Sequence, residues 1–345
     1  MNDVGSIVLL ITIKFIKMKK IILIACIVSI LSCKQEDKKF VIQRGLNLSH
    51  WLSQTKLRGL EREKHVTKKD FEAIAQMGFD HIRLPIDEEQ FWDEQGNRHE
   101  DAFKLLHFAI KQCEQNNLRV IVDLHTLRSH HFNNIEKIAL WNDTVAQQKY
   151  IGFWKQLSSE LEDYSNGLVA YEPLNEAVAD NPEDWNNLIN WVIVEIRKLE
   201  PKRTIIMGSN RWQTTDNFKF LRIPKNDPNI ILSFHFYSPF AFTHYQAPWS
   251  EFKDLGIATS YPGWAVDTAH GYIADEKRRL TAEKWKTYNT KEVLEQQIML
   301  AVEIAQKHKL QLFCGEFGCY PTTTISQRAT WYNDVIDIFN KHNIA

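Results

Sequence analysis

Seven short apolar runs in this chain carry polar or ionisable residues toward their C-terminal ends, and this repeated placement constrains the fold more than any other feature. The runs are Val41–Leu48, His81–Ile86, Arg119–His125, Leu168–Glu176, Thr204–Ser209, Asn229–Tyr237 and Gln311–Phe317. The residues so placed are Asn47, Arg83, His125, Asn175, Glu176, His235, Tyr237 and Glu316. The runs are near-continuous in apolar character rather than alternating, which suits parallel strands covered on both faces. Helical patterns separate them. Phe103, Leu106, Ile110 and Cys113 recur at helical spacing, as do Trp185, Leu188, Ile189, Val192, Ile196 and Leu199. The second of these helices must stop before Pro201. Thr67, with Asp70 three residues on, reads as a helix N-cap.

Repeated strand–helix units specify an α/β fold. An open, doubly wound sheet would announce a glycine-rich turn after its first strand, and none is present. Barrel enzymes instead gather their chemistry at the C-terminal ends of the strands. We therefore expect a (β/α)8 barrel over residues 41–345. Only seven strands can be counted. A helix over about Ser326–Lys341 follows the seventh, and the sequence stops at Ala345, where the eighth should begin. The expectation is a barrel truncated before its eighth strand, since a natural seven-stranded barrel would leave two unpaired edges.

Residues ahead of the barrel read as targeting sequence. Met18-Lys19-Lys20, an apolar run from Ile21 to Leu31, and Ser32-Cys33 have the form of a secretory signal, residues 1–33. The run is too short to span a bilayer comfortably. The ending resembles a lipobox, which would make Cys33 the lipid attachment point and residues 34–40 a polar tether. Met18 begins a better signal than Met1. The expected location is the outer membrane or cell surface, with the membrane reached only through that lipid. A formal charge of −1 gives no basic face for nucleic acid. Cys113, Cys314 and Cys319 form no CxxC pair, so no structural zinc is expected. His125, His130 and His131 near Asp123 do not make a metal site, because adjacent histidines on an extended loop point apart. No metal or cofactor is expected, and we expect a monomer.

Glu176 and Glu316 are the strongest candidates for chemistry. Two carboxyl groups held at strand ends can divide acid and nucleophile roles between them. Gly315 and Gly318 beside Glu316 leave room for close approach of backbone or ligand. The stretches Arg44-Gly-Leu-Asn-Leu, Gly78-Phe-Asp-His-Ile-Arg-Leu-Pro, Val122-Asp-Leu-His, Leu174-Asn-Glu, His235-Phe-Tyr and Gly315-Glu-Phe-Gly occur in that order. As an ordered set they resemble glycoside hydrolase family 5, the cellulase-like retaining β-glycosidases. The resemblance implies that Glu176 is the acid/base and Glu316 the nucleophile. It implies that Arg83 keeps Glu316 ionised, that His125 and His235 bind sugar, that Tyr237 stands beside the nucleophile and that Asn175 contacts the sugar 2-hydroxyl. It also implies a tryptophan on strand eight, before which this sequence ends. Retention implies carboxyl groups about 5–5.5 Å apart.

With 11 Trp, 10 Tyr and 19 Phe, aromatic rings are available for stacking on sugars. Loops after barrel strands face the active site, which nominates Trp51, Trp212 and Trp249 as groove walls and His131 or His130 as a substrate contact. The long segment 238–290 is the candidate lid or wall. Glu172, four residues before Glu176 with the same strand parity, reads as a buried partner for Arg83. The expected function is hydrolysis of a β-linked glucan, endo-acting. The alternatives are an exo-acting β-glucosidase or glucan 1,3-/1,6-β-glucosidase and, from another class, a non-catalytic surface glycan-binding lipoprotein.

Overall fold

A computed structural model describes residues 39–134, 136–266 and 275–345. The signal segment with Cys33 and most of the tether lie outside the described residues. Seven strands form one parallel sheet, nearly closed into a barrel: β1 Gly45–Asn47, β2 His81–Asp87, β3 Arg119–Thr126, β4 Val169–Glu172, β5 Thr204–Gly208, β6 Ile230–Phe236 and β9 Gln311–Phe317. Each pairs with its predecessor in sequence, β9 following β6. Between those two, β7 Gly263–Trp264 and β8 Tyr288–Asn289 make a separate antiparallel ribbon. The outer helices are α1 Lys68–Gln76, α2 Glu100–Gln115, α3 Thr144–Leu161, α4 Pro182–Leu199, α5 Lys291–His308 and α6 Ile325–Lys341. A 3-10 stretch, Thr215–Phe220, follows β5.

The local chemistry accounts for these limits. The Asp70 carboxylate accepts the Thr67 backbone N–H at 2.7 Å, closing the start of α1. Asn181 caps α4, Pro182 occupies its first position, and the helix ends two residues before Pro201. β4 is shorter than its apolar run suggests. Proline has no ladder donor, and β4 stops at Glu172. The Pro173 carbonyl accepts both the Tyr150 hydroxyl and the Trp154 indole N–H at 2.8 Å, so the chain leaves the sheet with that group satisfied.

Side chains alternate along each strand, so the barrel interior is built in layers. Ile121, Ala170, Ile206, Ile231 and Phe313 fill its lower layer, with Phe40 and Ile42 packed against them. Two residues further along β3 and β4 the same face carries Asp123 and Glu172. In β9 strict alternation would send Glu316 to the outer face with Cys314. The register shift beside β6, where Phe234 pairs Cys314 but His235 pairs Glu316, absorbs Gly315 and returns Glu316 to the interior. Glycine suits the close approach there, since a Cβ at position 315 would lie 3.0 Å from His235 Nε2 and Ser233 Oγ, and those side chains would have to give way.

β1 and β9 face one another without a ladder between them. Asn47 Nδ2 donates to the Gly315 carbonyl at 2.9 Å, and Gln311 Nε2 to that of Ile42 at 2.8 Å. Ala345 makes one parallel-type pair beside β9: its N–H donates to Leu312, and its carbonyl accepts from Cys314.

At the start of β5, the buried Arg203 donates to Glu200 and to the carbonyls of Leu161, Tyr164, Ser165 and Val169. Ser158 donates to the other Glu200 oxygen. Removing one partner of such a pair leaves the other charge buried, at about 3–5 kcal/mol. Arg203→Met should lower unfolding stability by that amount in urea titrations, and adding Glu200→Leu should recover much of it. A loss under about 1 kcal/mol for the single variant would show that the network does not hold the strand ends.

Candidate active site

The middle of the barrel is organised by one guanidinium. Arg83, on β2, is buried and uses all five of its N–H donors. Nε donates to Glu172 Oε2 at 2.6 Å, and Nη1 to Asn47 Oδ1 at 2.9 Å and Glu316 Oε1 at 2.7 Å. Nη2 contacts Asn175 Oδ1 at 2.8 Å, Asp123 Oδ2 at 3.0 Å and Glu172 Oε1 at 3.1 Å. The partners come from β1, β3, β4, the loop after β4, and β9. Glu172 is therefore a buried partner of Arg83 in the structure. Burial alone would lower the Arg83 pKa, but Asp123, Glu172 and Glu316 hold it raised well above the ordinary value.

Glu316 and Glu176 sit above this layer in different environments. Tyr237 donates its hydroxyl to Glu316 Oε2 at 2.9 Å, while Arg83 takes Oε1. Burial would raise the Glu316 carboxyl, but the charges of His235, Arg83 and His125 and the Tyr237 hydroxyl together hold it at about 2. Glu176 is raised, first by burial and further by the charge on Glu316, against the opposing His235. His235 Nδ1 lies 2.8 Å from Glu176 Oε1 and 3.7 Å from Glu316 Oε2. Donor atoms of Glu176, His235 and Glu316 all fall within 4.8 Å of one another. That trio could in principle ligate a cation, but Arg83 and Tyr237 already occupy both oxygens of Glu316, and the guanidinium opposes a second positive charge. The donor set suits a proton-transfer site better than a metal centre.

The histidines take distinct roles. His125 Nδ1 pairs with Asp123 Oδ2 at 2.7 Å; burial opposes its protonation, but Asp123 outweighs that and raises its pKa. His235 is raised likewise, burial being overcome by Glu316 and Glu176. His130 is buried, donates Nε2–H to the Glu176 carbonyl at 3.2 Å, and is pushed by burial to about 4, so it is neutral. His131, by contrast, stacks on Phe132 and lines a cavity of about 350 Å³ that also includes Gln54, Asp87 and Arg128. The two glutamates are not among the residues that line that cavity, and Phe132 packs edge-on against His125.

A strained turn braces the site from the β5 side. Arg211, Trp212 and Gln213 have φ of 56°, 61° and 53°, three successive left-handed residues without a glycine. Such residues cost about 1–2 kcal/mol each. The turn is held by Asn210, which exchanges hydrogen bonds with the Ala179 backbone at 2.9 and 2.8 Å, and by Trp212 N–H on the Ala177 carbonyl at 3.2 Å. It aims Gln213 Nε2 at Glu172 Oε1, 2.9 Å away, through space that a Cβ on Gly208 would fill. Glu176 itself has φ 25°. The turn thus grips the chain on both sides of the catalytic candidates.

The three nominated tryptophans separate. Trp51 is fully buried and donates its indole N–H to the Arg62 carbonyl at 2.8 Å. It is a core residue rather than a groove wall, because the chain after β1 folds the Gly59–His65 helix over it. Trp212 is 37% exposed and ties the loops after β5 and β3 together through Nε1 on the Phe132 carbonyl at 2.9 Å. Trp249 is 61% exposed and stands edge-on to Tyr320, in the loop after β9. The described part of segment 238–290 has its own small apolar cluster around Phe252, Leu255 and Val266. It also touches the site: Thr243 donates to the Tyr237 carbonyl at 2.6 Å. Cys314 and Cys319 are packing residues with thiols raised by burial, Cys319 to about 12.

Linkage gives the two glutamates opposite signatures. Glu316, held low, contributes stability above the ordinary carboxylate pKa that is lost as pH falls toward about 2. Glu176, held high, contributes stability below its unfolded pKa that is lost as pH rises through its folded one. Melting curves from pH 2 to 8 should show Glu316→Gln falling behind the parent as pH rises from about 2 to about 5, and Glu176→Gln gaining on the parent as pH rises above that. Parallel curves for both variants would refute this division of charge.

The model of the family described as Cellulase (glycosyl hydrolase family 5) matches residues 34–345. The chain is 31% identical over 307 residues to endoglucanase C of Acetivibrio thermocellus, covering 87% of this chain and 88% of that protein. It is 27% identical to cellodextrinase A of Ruminococcus flavefaciens, covering 88% and 84%. Among solved structures, endoglucanase Cel5A of Thermotoga maritima superposes with a TM-score of 0.68 at 25% identity, covering 87% and 86%.

Proposed function

The chain belongs to glycosyl hydrolase family 5, the cellulase family, and from that membership we propose that it is an endo-acting β-glucanase working by double displacement on Glu316 and Glu176. It is a glycosidase of β-linked glucans. The observation that carries the proposed mechanism is the proximity of two carboxyls with opposite pKa shifts. Their nearest oxygens lie within 4.8 Å, on the retaining side of the spacing at which a water fits between carboxyl groups, about 6.5–9.5 Å.

In the first step a Glu316 oxygen attacks the anomeric carbon. The bond from that carbon to the glycosidic oxygen breaks, and Glu176 delivers its proton to the departing oxygen. Arg83 and Tyr237 keep Glu316 ionised and aimed, each holding one oxygen. In the second step Glu176, now a carboxylate, takes a proton from water. The water oxygen bonds to the anomeric carbon and Glu316 is released. His125, Asn175 and His235 supply polar atoms around the ring in subsite −1. Trp212 and Trp249 offer exposed rings for neighbouring sugars. Endo action is supported by the relative named endoglucanase C.

Reducing-sugar release from hydroxyethylcellulose should vanish in Glu316→Gln and fall about 10²–10⁴-fold in Glu176→Gln. An aryl β-cellobioside with a dinitrophenyl leaving group needs no acid, so Glu176→Gln should still show its first step as a burst. Turnover surviving in Glu316→Gln, or an inverted product anomer by NMR, would defeat the assignment.

The same reading includes export and lipid anchoring at the outer membrane or cell surface. It is supported by Met18–Lys20, the apolar run Ile21–Leu31 and Ser32-Cys33. Expressed in a Gram-negative host, the chain should incorporate labelled palmitate and sediment with membranes, and Cys33→Ala should do neither. Equal labelling of that variant would rule out Cys33 as the anchor.

A further inference from the structure

Away from the catalytic pair, the short helix Ala139–Asn142, the start of α3 and the first half of α4 line a pocket of about 200 Å³ with Trp141, Gln147, Asp184, Asn187, Leu188 and Trp191. None of these residues takes part in the site described above. We propose that this pocket binds one pyranose unit of a β-linked glucan, as an anchoring site outside the catalytic groove. The nature of the ligand rests on the glucanase reading; the pocket and its chemistry do not.

Its composition matches the two faces of a sugar. Trp191 is 39% exposed on a helix whose other large apolar residues mostly turn inward, so its ring is available to the surface. A β-linked pyranose with equatorial hydroxyls presents flat C–H faces, which stack on an indole as another apolar surface would. Leu188, 3% exposed, forms an apolar floor.

Polar groups surround this platform, and several have no partner among the described residues. Asp184 makes no side-chain hydrogen bond or ion pair there, leaving two carboxylate oxygens to accept from adjacent hydroxyls. Gln147 uses its NH₂ on the Leu140 and Trp141 carbonyls, at 3.1 and 3.4 Å, which leaves its own oxygen as an acceptor. Asn187 accepts from Arg222 through Oδ1, leaving its NH₂ to donate.

Trp141 forms a fixed wall of the pocket. The residue is 8% exposed, and its buried indole N–H has no acceptor among the described residues. Its ring is held edge-on between His130 and Trp185, with centroids 5.1 and 6.4 Å away, so it cannot swing out to satisfy that group in solvent. The volume suits one hexose rather than a drug-sized molecule, whose pockets run about 300–1,000 Å³. His130 links the pocket wall to the catalytic loop, since it packs on Trp141 and donates to the Glu176 carbonyl.

The test uses the full chain carrying Glu316→Gln, so that polymer is bound and not cut. Affinity electrophoresis through hydroxyethylcellulose gels compares it with the same protein carrying Trp191→Ala or Asp184→Ala. Both substitutions lie at the surface, and thermal melts check that the fold is intact. We expect either substitution to weaken retardation about five- to tenfold, the loss of a stacking or charged contact. In the background with Glu316 restored, turnover of a short aryl β-cellobioside should stay within about twofold of the parent for Trp191→Ala, while turnover of the polymer falls. Unchanged retardation in both variants would overturn the proposal while leaving the glucanase reading intact. Loss of turnover on the short substrate would also overturn it, since Trp191 would then belong to the groove. If the parent neither cuts nor binds any β-glucan, the glucanase reading fails and takes this ligand with it.

Discussion

Arg83 is the constraint on which the rest of this barrel depends. A guanidinium has five donors in a rigid fork, and here residues from β1, β3, β4, the loop after β4 and β9 supply the acceptors. The three carboxylates around it would repel one another in a low-dielectric interior without that cation. With it, they become a polar layer through the middle of an otherwise apolar tube. The catalytic candidates rest on this layer. Glu316 is bound to it directly. Glu176 is tied to it through Asn175, its neighbour in the chain, and its burial and the nearby charge of Glu316 give it the opposite protonation preference. The same charges therefore hold the strands together and separate the two carboxyls chemically.

Much of this arrangement was legible in the sequence because barrels place function at strand ends, where residue type and position reinforce each other. The seven strands, the helices at Phe103–Cys113 and Trp185–Leu199, and the pairing of Glu172 with Arg83 follow from periodicity and parity. Other features depend on departures from periodicity. Alternation along β9 would turn Glu316 outward, and only the register shift at Gly315 brings it in. Trp51 follows a strand just as Trp212 does, yet a helix closes over one and not the other; local sequence does not distinguish them. Gln213 was invisible for a different reason. It reaches Glu172 through three consecutive left-handed residues, none of them glycine or asparagine, which no propensity would suggest. Asp123 could have been found, since it shares strand parity with His125 two residues on.

The region outside the barrel is less predictable because it is built from few contacts over long chain separations. The described part of the segment between β6 and α5 carries a separate apolar cluster and a two-strand ribbon, and reaches the site through Thr243 and Tyr237. Length and aromatic content nominated it as a lid or wall, but not which rings it presents. Trp249 against Tyr320 is the clearest case, an edge-on pair assembled from two loops about 70 residues apart.

The left-handed turn at Arg211–Gln213 has a consequence for anyone improving this protein by selection. Its three residues adopt backbone angles that glycine or asparagine would accept with less strain. A library screened only for heat resistance would therefore be drawn to these positions, where relief of strain is available locally. At two of them the gain would remove a tie to the site: Gln213 to the carboxylate beneath Arg83, Trp212 to the loop after β3. Robustness and catalytic alignment pull in opposite directions at this turn, so screens should score turnover and stability together there, and can afford to score stability alone on the outer helices.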